Sequence, residues 1–175
     1  MPTVDQTITY LEMRSPDELL PGHPPPEPME LERVGPELVE LVRETIERVG
    51  APHHWTTPRG RSPRHWRRRL SRPDVLVWLA HVRGEVAGVI ELEVHRGGDV
   101  EITVFGLVPD FVGKGFGGPL LTEAVRLAWG ARVSGRPATT RVWLHTSSLD
   151  HPHALGNYQR RGFRVFRSED RPRPI

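Results

Sequence analysis

The sequence contains no cysteine, and this absence removes several kinds of chemistry at once. Without a thiol, the 175-residue chain forms no disulfide, binds no zinc through thiolates and has no cysteine nucleophile. It also has no run of about 18 apolar residues, so we expect no transmembrane helix. The first residues, MPTVDQTITYLEMR, lack the basic region and apolar block of a secretory signal. We therefore expect a cytoplasmic protein that does not bind a membrane.

Lysine is nearly absent as well: of the 24 basic residues, only Lys114 is not an arginine. Many arginines fall in residues 59–72, a stretch that would suit binding to nucleic acid or another polyanion. Because the net charge is only +2, we favour a short solvated helix that begins at Ser62 and buries Trp66 and Leu70. No nucleic-acid partner is then expected, and a polyanion-binding module is kept as the alternative.

The length predicts one domain with two parts. Residues 1–30 hold a candidate edge strand at 3–14 and a stiff connector at 21–28, where five prolines exclude a helix or central strand. Residues 31–175 form the main part. It opens with apolar residues at helical spacing from Pro36 to Val49.

Three apolar, β-branched runs predict an antiparallel meander, because short glycine turns separate them. The later segments predict a strand, a helix and a last short strand before a frayed tail. The strands of the meander lie at 75–82, 86–95 and 100–108, and the later segments are a strand at 141–146, a helix at 152–161 and a strand at 163–166.

Glycines crowd the turn between the third strand of the meander and the next helix. Such a turn aims backbone N–H groups and the positive end of a helix dipole at one point, so its natural ligand is a phosphate or pyrophosphate. The run fits neither a complete dinucleotide fingerprint nor a P-loop, and a tight turn without a ligand is the alternative. The single lysine lies among these glycines, which are Gly113, Gly115, Gly117 and Gly118.

The order of elements over about residues 75–166 resembles the GNAT acyltransferases. Their glycine motif, [Q/R]-x-x-G-x-[G/A], corresponds to residues 112–117, VGKGFG, where both required glycines match and Val112 replaces the leading Gln or Arg. Their second motif, a helix that ends in a tyrosine followed by Gly-Phe, corresponds to residues 154–163. The resemblance implies an α+β fold with a mixed, mostly antiparallel sheet flanked by helices.

The resemblance also implies an N-acetyltransferase that moves an acetyl group from acetyl-CoA to a primary amine of a small molecule or peptide by direct attack. The pyrophosphate would rest on the N–H groups of residues 113–118, with Asn157 as a further contact. The pantetheine arm would pair with the strand end at Leu107 and Val108. This pairing requires the strands at 100–108 and 141–146 to splay apart. No metal is expected, and a homodimer is compatible with the resemblance.

The same resemblance assigns the proton transfers. Tyr158 holds the position of the acid that protonates the leaving thiolate, and its alternative is a core tyrosine. Glu101, eleven residues before the glycine motif, is the candidate base, and its alternative is an exposed strand residue. Glu91 or a water is the substitute. The acceptor amine would lie between the sheet and the loop at 53–57, with His54, Trp55 and Glu91 as contacts.

Other classes of function stay open on the sequence. A CoA-binding sensor would keep the cofactor site and lack the base. His145, Asp150 and a serine at 147 or 148 would suit a hydrolase triad, but the sequence has no G-x-S-x-G elbow. The pairs His53–His54 and His151–His153 lack partners at metal-ligand spacing.

Overall fold

The fold is seen in a computed structural model that describes residues 1–55 and 61–174. The strands are β1 (Thr3–Met13), β2 (Met29–Val34), β3 (Val75–Val82), β4 (Glu85–Val94), β5 (Asp99–Leu107), β6 (Arg141–Ser147) and β7 (Arg164–Pro174). The helices are α1 (Val39–Gly50), α2 (Pro63–Ser71), α3 (Gly117–Gly130) and α4 (Ala154–Arg160).

All seven strands belong to one sheet, in the order β2-β3-β4-β5-β6-β1-β7. Neighbouring strands are antiparallel except β5 and β6, which are parallel. The predicted α+β fold with a mixed, mostly antiparallel sheet is confirmed. The meander β3-β4-β5 is confirmed too. Its first turn has positive φ at both Arg83 (53°) and Gly84 (76°), the backbone of a tight hairpin that follows the strand twist.

Helices cover both faces of the sheet. Helices α1 and α2 pack on one apolar cluster with β2, β3 and β4, and α3 and α4 pack on the other with β5, β6 and β1. Helix α2 begins as predicted: the Ser62 side chain accepts a hydrogen bond from the His65 N–H at 3.1 Å, and Trp66 and Leu70 are buried. Within residues 1–55 and 61–174, no helix is long and apolar enough to cross a membrane.

Two predictions about strands are wrong, and one strand was missed. The strand near the N-terminus is not an edge, because β1 lies between β6 and β7. The residues after 166 are not a frayed tail, because β7 pairs with β1 as far as Pro174. Strand β2, which pairs with β3, was not predicted, since its glutamates hide a weak apolar pattern. Residues 56–60 lie outside the described residues, and so do the predicted loop positions 56–57 and the start of the arginine-rich stretch.

Candidate active site

The site begins where two parallel strands separate. Strands β5 and β6 pair only from Asp99, opposite Arg141, to Glu101, opposite Trp143. Beyond these residues the strands diverge, and a cavity of about 410 Å³ lies in the gap between Ile102–Leu107 and the end of β6. The predicted splay of the two strands is confirmed.

The cavity wall on β5 includes a strand edge that does not pair with β6 beyond Glu101. A bulge shifts the β4–β5 register: Val104 lies opposite Glu91 and Ile102 opposite Leu92, which leaves Thr103 as the extra residue. Past the bulge, β5 pairs with β4 along one edge and faces the cavity along the other. Peptide groups on such an open edge are suited to pair with an extended, amide-containing ligand.

The glycine loop closes one end of the cavity. Gly113 and Gly115 have φ of 75° and 89°, a conformation that side chains strain. Helix α3 follows at Gly117, and within the described residues no side chain caps its N-terminus. A Cβ at Gly118 would lie 2.6 Å from Nη1 of Arg161. Glycine is therefore required at residues 113 and 115 for its φ, and the uncapped start of α3 leaves main-chain N–H groups available.

Only some of the predicted cofactor contacts line this cavity. Asn157 and Leu107 line it, and Nδ2 of Asn157 donates to the Gly117 carbonyl at 3.2 Å, which fastens α4 to the first turn of α3. Val108 is fully buried, and its N–H already donates to the Ala87 carbonyl at 2.8 Å. Of the predicted strand-end pair, Leu107 lines the cavity and Val108 is not among the described lining residues.

The cations near the loop differ from the prediction. Lys114 is exposed and is not among the described residues that line the cavity. Arg160 of α4 does line it, although no motif pointed to this residue. The sequence feature that could have indicated Arg160 is its position two residues after the motif tyrosine, on the helix that faces the glycine loop.

Tyr158 is a buried residue that lines the cavity. Its ring packs edge-on against Phe105 and Phe163, each with a centroid distance of 6.1 Å. In the described part of the chain its hydroxyl has no hydrogen-bond partner, and the residue lines the cavity. Burial, and then the charge of Asp150, raise the pKa of Tyr158 well above its ordinary value. The phenol therefore stays protonated at any physiological pH.

Asp150 accepts three hydrogen bonds that link residues at the far end of the cavity. Its Oδ1 accepts a hydrogen bond from Nε1 of Trp55 at 3.0 Å. Its Oδ2 accepts from the Thr146 hydroxyl at 2.6 Å and from the Ser147 N–H at 2.9 Å. Trp55, a predicted acceptor contact, thus forms a fixed wall. His54, the other loop contact, is exposed, has a left-handed φ of 59° and is not among the described lining residues.

Four histidines line the cavity, and the rings of three of them, His53, His151 and His153, lie close to one another. The ring of His151 lies 6.3 Å from that of His53 and 5.2 Å from that of His153. Burial, followed by these two neighbours, lowers the pKa of His151. Its Nδ1 accepts a hydrogen bond from the His153 N–H at 3.1 Å, which places the proton of the neutral ring on Nε2. His151 is therefore a hydrogen-bond donor at neutral pH.

Both predicted carboxylate bases lie away from the cavity lining and are engaged elsewhere. Oε1 of Glu101 lies 2.9 Å from Nε2 of His95. Glu91 is 1% exposed, and its Oε1 accepts from Nε of Arg69 at 2.9 Å and from the Thr103 hydroxyl at 3.0 Å. The structure brings Tyr158, the glycine loop, Asn157 and Trp55 together, but not these two carboxylates.

The hydrolase alternative is wrong on geometry. The Ser147 hydroxyl donates to Oε1 of Gln6 at 2.6 Å. Both oxygens of Asp150 are used as described above, and no bond among residues 1–55 and 61–174 joins Asp150 to His145. A triad needs a serine–histidine–carboxylate chain, which is missing here.

Comparison with known proteins gives a family and a fold. The profile of the Acetyltransferase (GNAT) family matches residues 37–163. No curated protein sequence matches the chain significantly. Among solved structures, a GCN5-related N-acetyltransferase from Sphaerobacter thermophilus superposes with a TM-score of 0.62 at 20% identity. That match covers 99% of this chain and 53% of the other.

Two further structures extend the comparison. A GCN5-related N-acetyltransferase from Kribbella flavida has a TM-score of 0.62 at 18% identity, over 94% of this chain and 56% of that one. An aminoglycoside acetyltransferase from an uncultured soil metagenomic sample, in complex with sisomicin, has a TM-score of 0.58 at 15% identity, over 75% of this chain and 85% of that one. The chain thus spans little more than half the length of the two GCN5-related structures. At these identities the likeness is one of fold.

Proposed function

Because the chain belongs to the Acetyltransferase (GNAT) family, we propose that it transfers an acetyl group from acetyl-CoA to a primary amine of a small molecule or peptide. The observation that carries the proposal is the splay cavity. One wall is open β5 backbone, one end is an uncapped helix N-terminus with glycines before it, and the buried Tyr158 lies between them.

The donor fits these residues by chemistry. A pyrophosphate suits the N–H groups of the loop from Gly113 to Gly118, where the helix dipole also favours negative charge. Arg160 on the lining adds a cation for the same groups. The amide-containing pantetheine arm suits the open edge of β5 that ends at Leu107. Bound there, acetyl-CoA supplies the acetyl group as a reactive thioester.

Tyr158 is the proposed proton donor to the leaving sulfur. A useful acid must hold its proton at the working pH and must lie where the thiolate forms. The raised pKa of Tyr158 meets the first requirement, and its place on the cavity wall beside Phe105 supports the second. Its unbonded hydroxyl leaves the proton available without first breaking a hydrogen bond to another described residue.

The amine must lose a proton before or during attack, and the geometry bears on which group takes it. Glu101 and Glu91 stay predicted bases, but each would first have to leave His95 or Arg69. A water held by the cavity imidazole of His53 needs no such rearrangement. We therefore favour water-mediated proton removal at the Trp55 end of the cavity.

Trp55 and its hydrogen bond to Asp150 mark the proposed acceptor side. An indole wall beside a carboxylate suits an amine on a ring or other apolar carrier, because the indole packs on the carrier. The neighbour solved with sisomicin makes aminoglycosides one acceptor class to test. Peptides with free amino termini are the second class.

An amine panel read by free-CoA release tests the proposal. The panel contains sisomicin, other aminoglycosides and short peptides, each with and without acetyl-CoA. We expect CoA release that depends on one amine class and that falls strongly in Tyr158→Phe. Acetyl-CoA binding by calorimetry without turnover on any amine would instead support the sensor alternative. No acetyl-CoA binding would contradict both.

A further inference from the structure

A second group of side chains converges on the sheet outside the acetyl-CoA cavity. Glu93 near the end of β4 lies directly opposite Glu101 on β5, and His95 follows at the turn between these strands. Nε2 of His95 lies 3.3 Å from Oε2 of Glu93 and 2.9 Å from Oε1 of Glu101. One ligand atom from each residue lies within 4.8 Å of the other two.

The two carboxylates need positive charge between them. They are cross-strand partners, and like charges in this arrangement destabilise a sheet. Their side chains are only 16% and 14% exposed, so water screens them poorly. Arg69 and Arg72 approach Oε1 of Glu93, at 3.1 and 3.6 Å, and the other oxygen faces His95.

We propose that Glu93, His95 and Glu101 form a binding site for a divalent transition-metal ion such as zinc, cobalt or manganese. Imidazole with two carboxylates is a donor set that these ions accept. With bonds of about 2.0–2.1 Å, ligand atoms in a tetrahedral site lie about 3.3 Å apart. The Glu93–His95 spacing matches this value, and the His95–Glu101 spacing must widen by about 0.4 Å.

The surroundings hold the three ligands in orientation. The imidazole of His95 stacks on Trp143 with a centroid distance of 6.2 Å and an interplanar angle of 26°. Arg69 fixes the second oxygen of Glu93, as neighbours of a metal ligand commonly do. His95 is 36% exposed, which leaves a water-accessible position for a fourth ligand. Without a metal ion, Nε2 of His95 contacts both carboxylates directly.

Cobalt titration of the full chain tests the proposed site. After EDTA treatment and dialysis, calorimetry with Co²⁺ is expected to give one site per chain. Trp143 should lose fluorescence, because bound Co²⁺ would quench the stacked indole. In Trp143→Phe the calorimetric binding should remain while most of the quenching disappears. Zinc should compete for the same site.

Ligand variants and one matched control decide the assignment. Glu101→Gln and His95→Gln should each raise the Kd of Co²⁺ at least about tenfold. His81→Gln should not, because His81 forms a similar pair with Glu32, at 2.9 Å, and no third ligand accompanies this pair in the described part of the chain. Circular dichroism confirms that each variant folds. No binding at 1 mM Co²⁺, or equal binding in wild type and both ligand variants, would overturn the site.

The metal site does not depend on the proposed acetyl transfer. Cobalt binding is measured without acetyl-CoA or an amine, so either proposal can fail while the other stands.

Discussion

Replacing Tyr158 by phenylalanine separates its chemistry from its packing. The ring keeps its contacts with Phe105 and Phe163, and the lost hydroxyl has no hydrogen-bond partner in the described part of the chain. The free energy of unfolding should therefore change by less than about 0.5 kcal/mol. Loss of a positioned acid lowers turnover about 10²- to 10⁴-fold. We expect the lower end of that range, about 2.7 kcal/mol, because water in the cavity can replace part of the function.

The assay is free-CoA release under saturating acetyl-CoA, with calorimetry for the Kd of acetyl-CoA. Turnover should fall about 100-fold while this Kd stays within about threefold. The matched control is Tyr10→Phe: the other tyrosine of the chain bonds Glu169 outside the cavity and should not affect turnover. Equal turnover in Tyr158→Phe and wild type would refute the assignment of the acid.

The pH dependence gives a second readout of the same residue. Burial raises the pKa of folded Tyr158 above its ordinary value of 10.0. Its contribution to stability is therefore complete below pH 10 and is lost as the pH rises through the folded-state value. Turnover should show no loss of an acid between pH 7 and about pH 9.5. A fall in turnover within this pH range that disappears in Tyr158→Phe would show that burial does not raise the pKa of Tyr158.

Three further substitutions test other parts of the argument. Gly115→Val should raise the Kd of acetyl-CoA at least about tenfold, because valine is strained at the φ of 89° that Gly115 adopts. The control Gly135→Val, at φ 79° in a remote loop, should leave that Kd unchanged. Equal effects of the two substitutions would show that the glycine loop is not part of the cofactor site. Glu101→Gln should change turnover by less than about threefold, and a loss of about 100-fold would restore it as the base. Arg69→Met should cost about 3–5 kcal/mol in urea unfolding, because it leaves buried Glu91 without its cation; a loss below about 1 kcal/mol would show that the pair matters little.

Elements with strong local signals could be predicted from the sequence. Strand β3 is a buried apolar run and β5 is an apolar, β-branched and mostly half-buried run, each bounded by glycine or proline. Helix α2 has its serine cap and two buried residues four apart. Each of these signals lies within about ten residues, where hydrophobic spacing and turn chemistry act. The glycine loop was predicted for the same reason, because positive φ at Gly113 and Gly115 is a local requirement.

The wrong predictions concern partners far apart in the sequence. Strand β7 is mostly exposed and ends in prolines, so its composition resembles that of a tail. Its ladder with β1 joins the two ends of the chain, as in the pair Thr3 and Pro174. Local periodicity does not encode such a pairing, and the same limit applies to β1 as an interior strand.

The site shows the same division between local and distant information. The glycine loop and Tyr158 carry motif signals, and the structure puts both on one cavity. The spacing of Glu101 from the loop did not show that this side chain meets His95 rather than the cavity. The bond between Trp55 and Asp150 spans 95 residues, so no local pattern could reveal it.

The carboxylates on β4 and β5 have different hydrogen-bond partners from Asp150, which follows β6. This difference indicates which residues should determine the preference for an acceptor amine. Glu91 of β4 is paired with Arg69 of α2, and Glu101 of β5 lies against His95 at the turn between β4 and β5. Asp150 faces the cavity, but three hydrogen bonds occupy most of the roughly four acceptor positions of a carboxylate. Asp150 is therefore better suited to hold Trp55 in place than to accept a proton. Differences in acceptor choice should then follow changes around Trp55, whereas changes in the glycine loop should alter the affinity for acetyl-CoA.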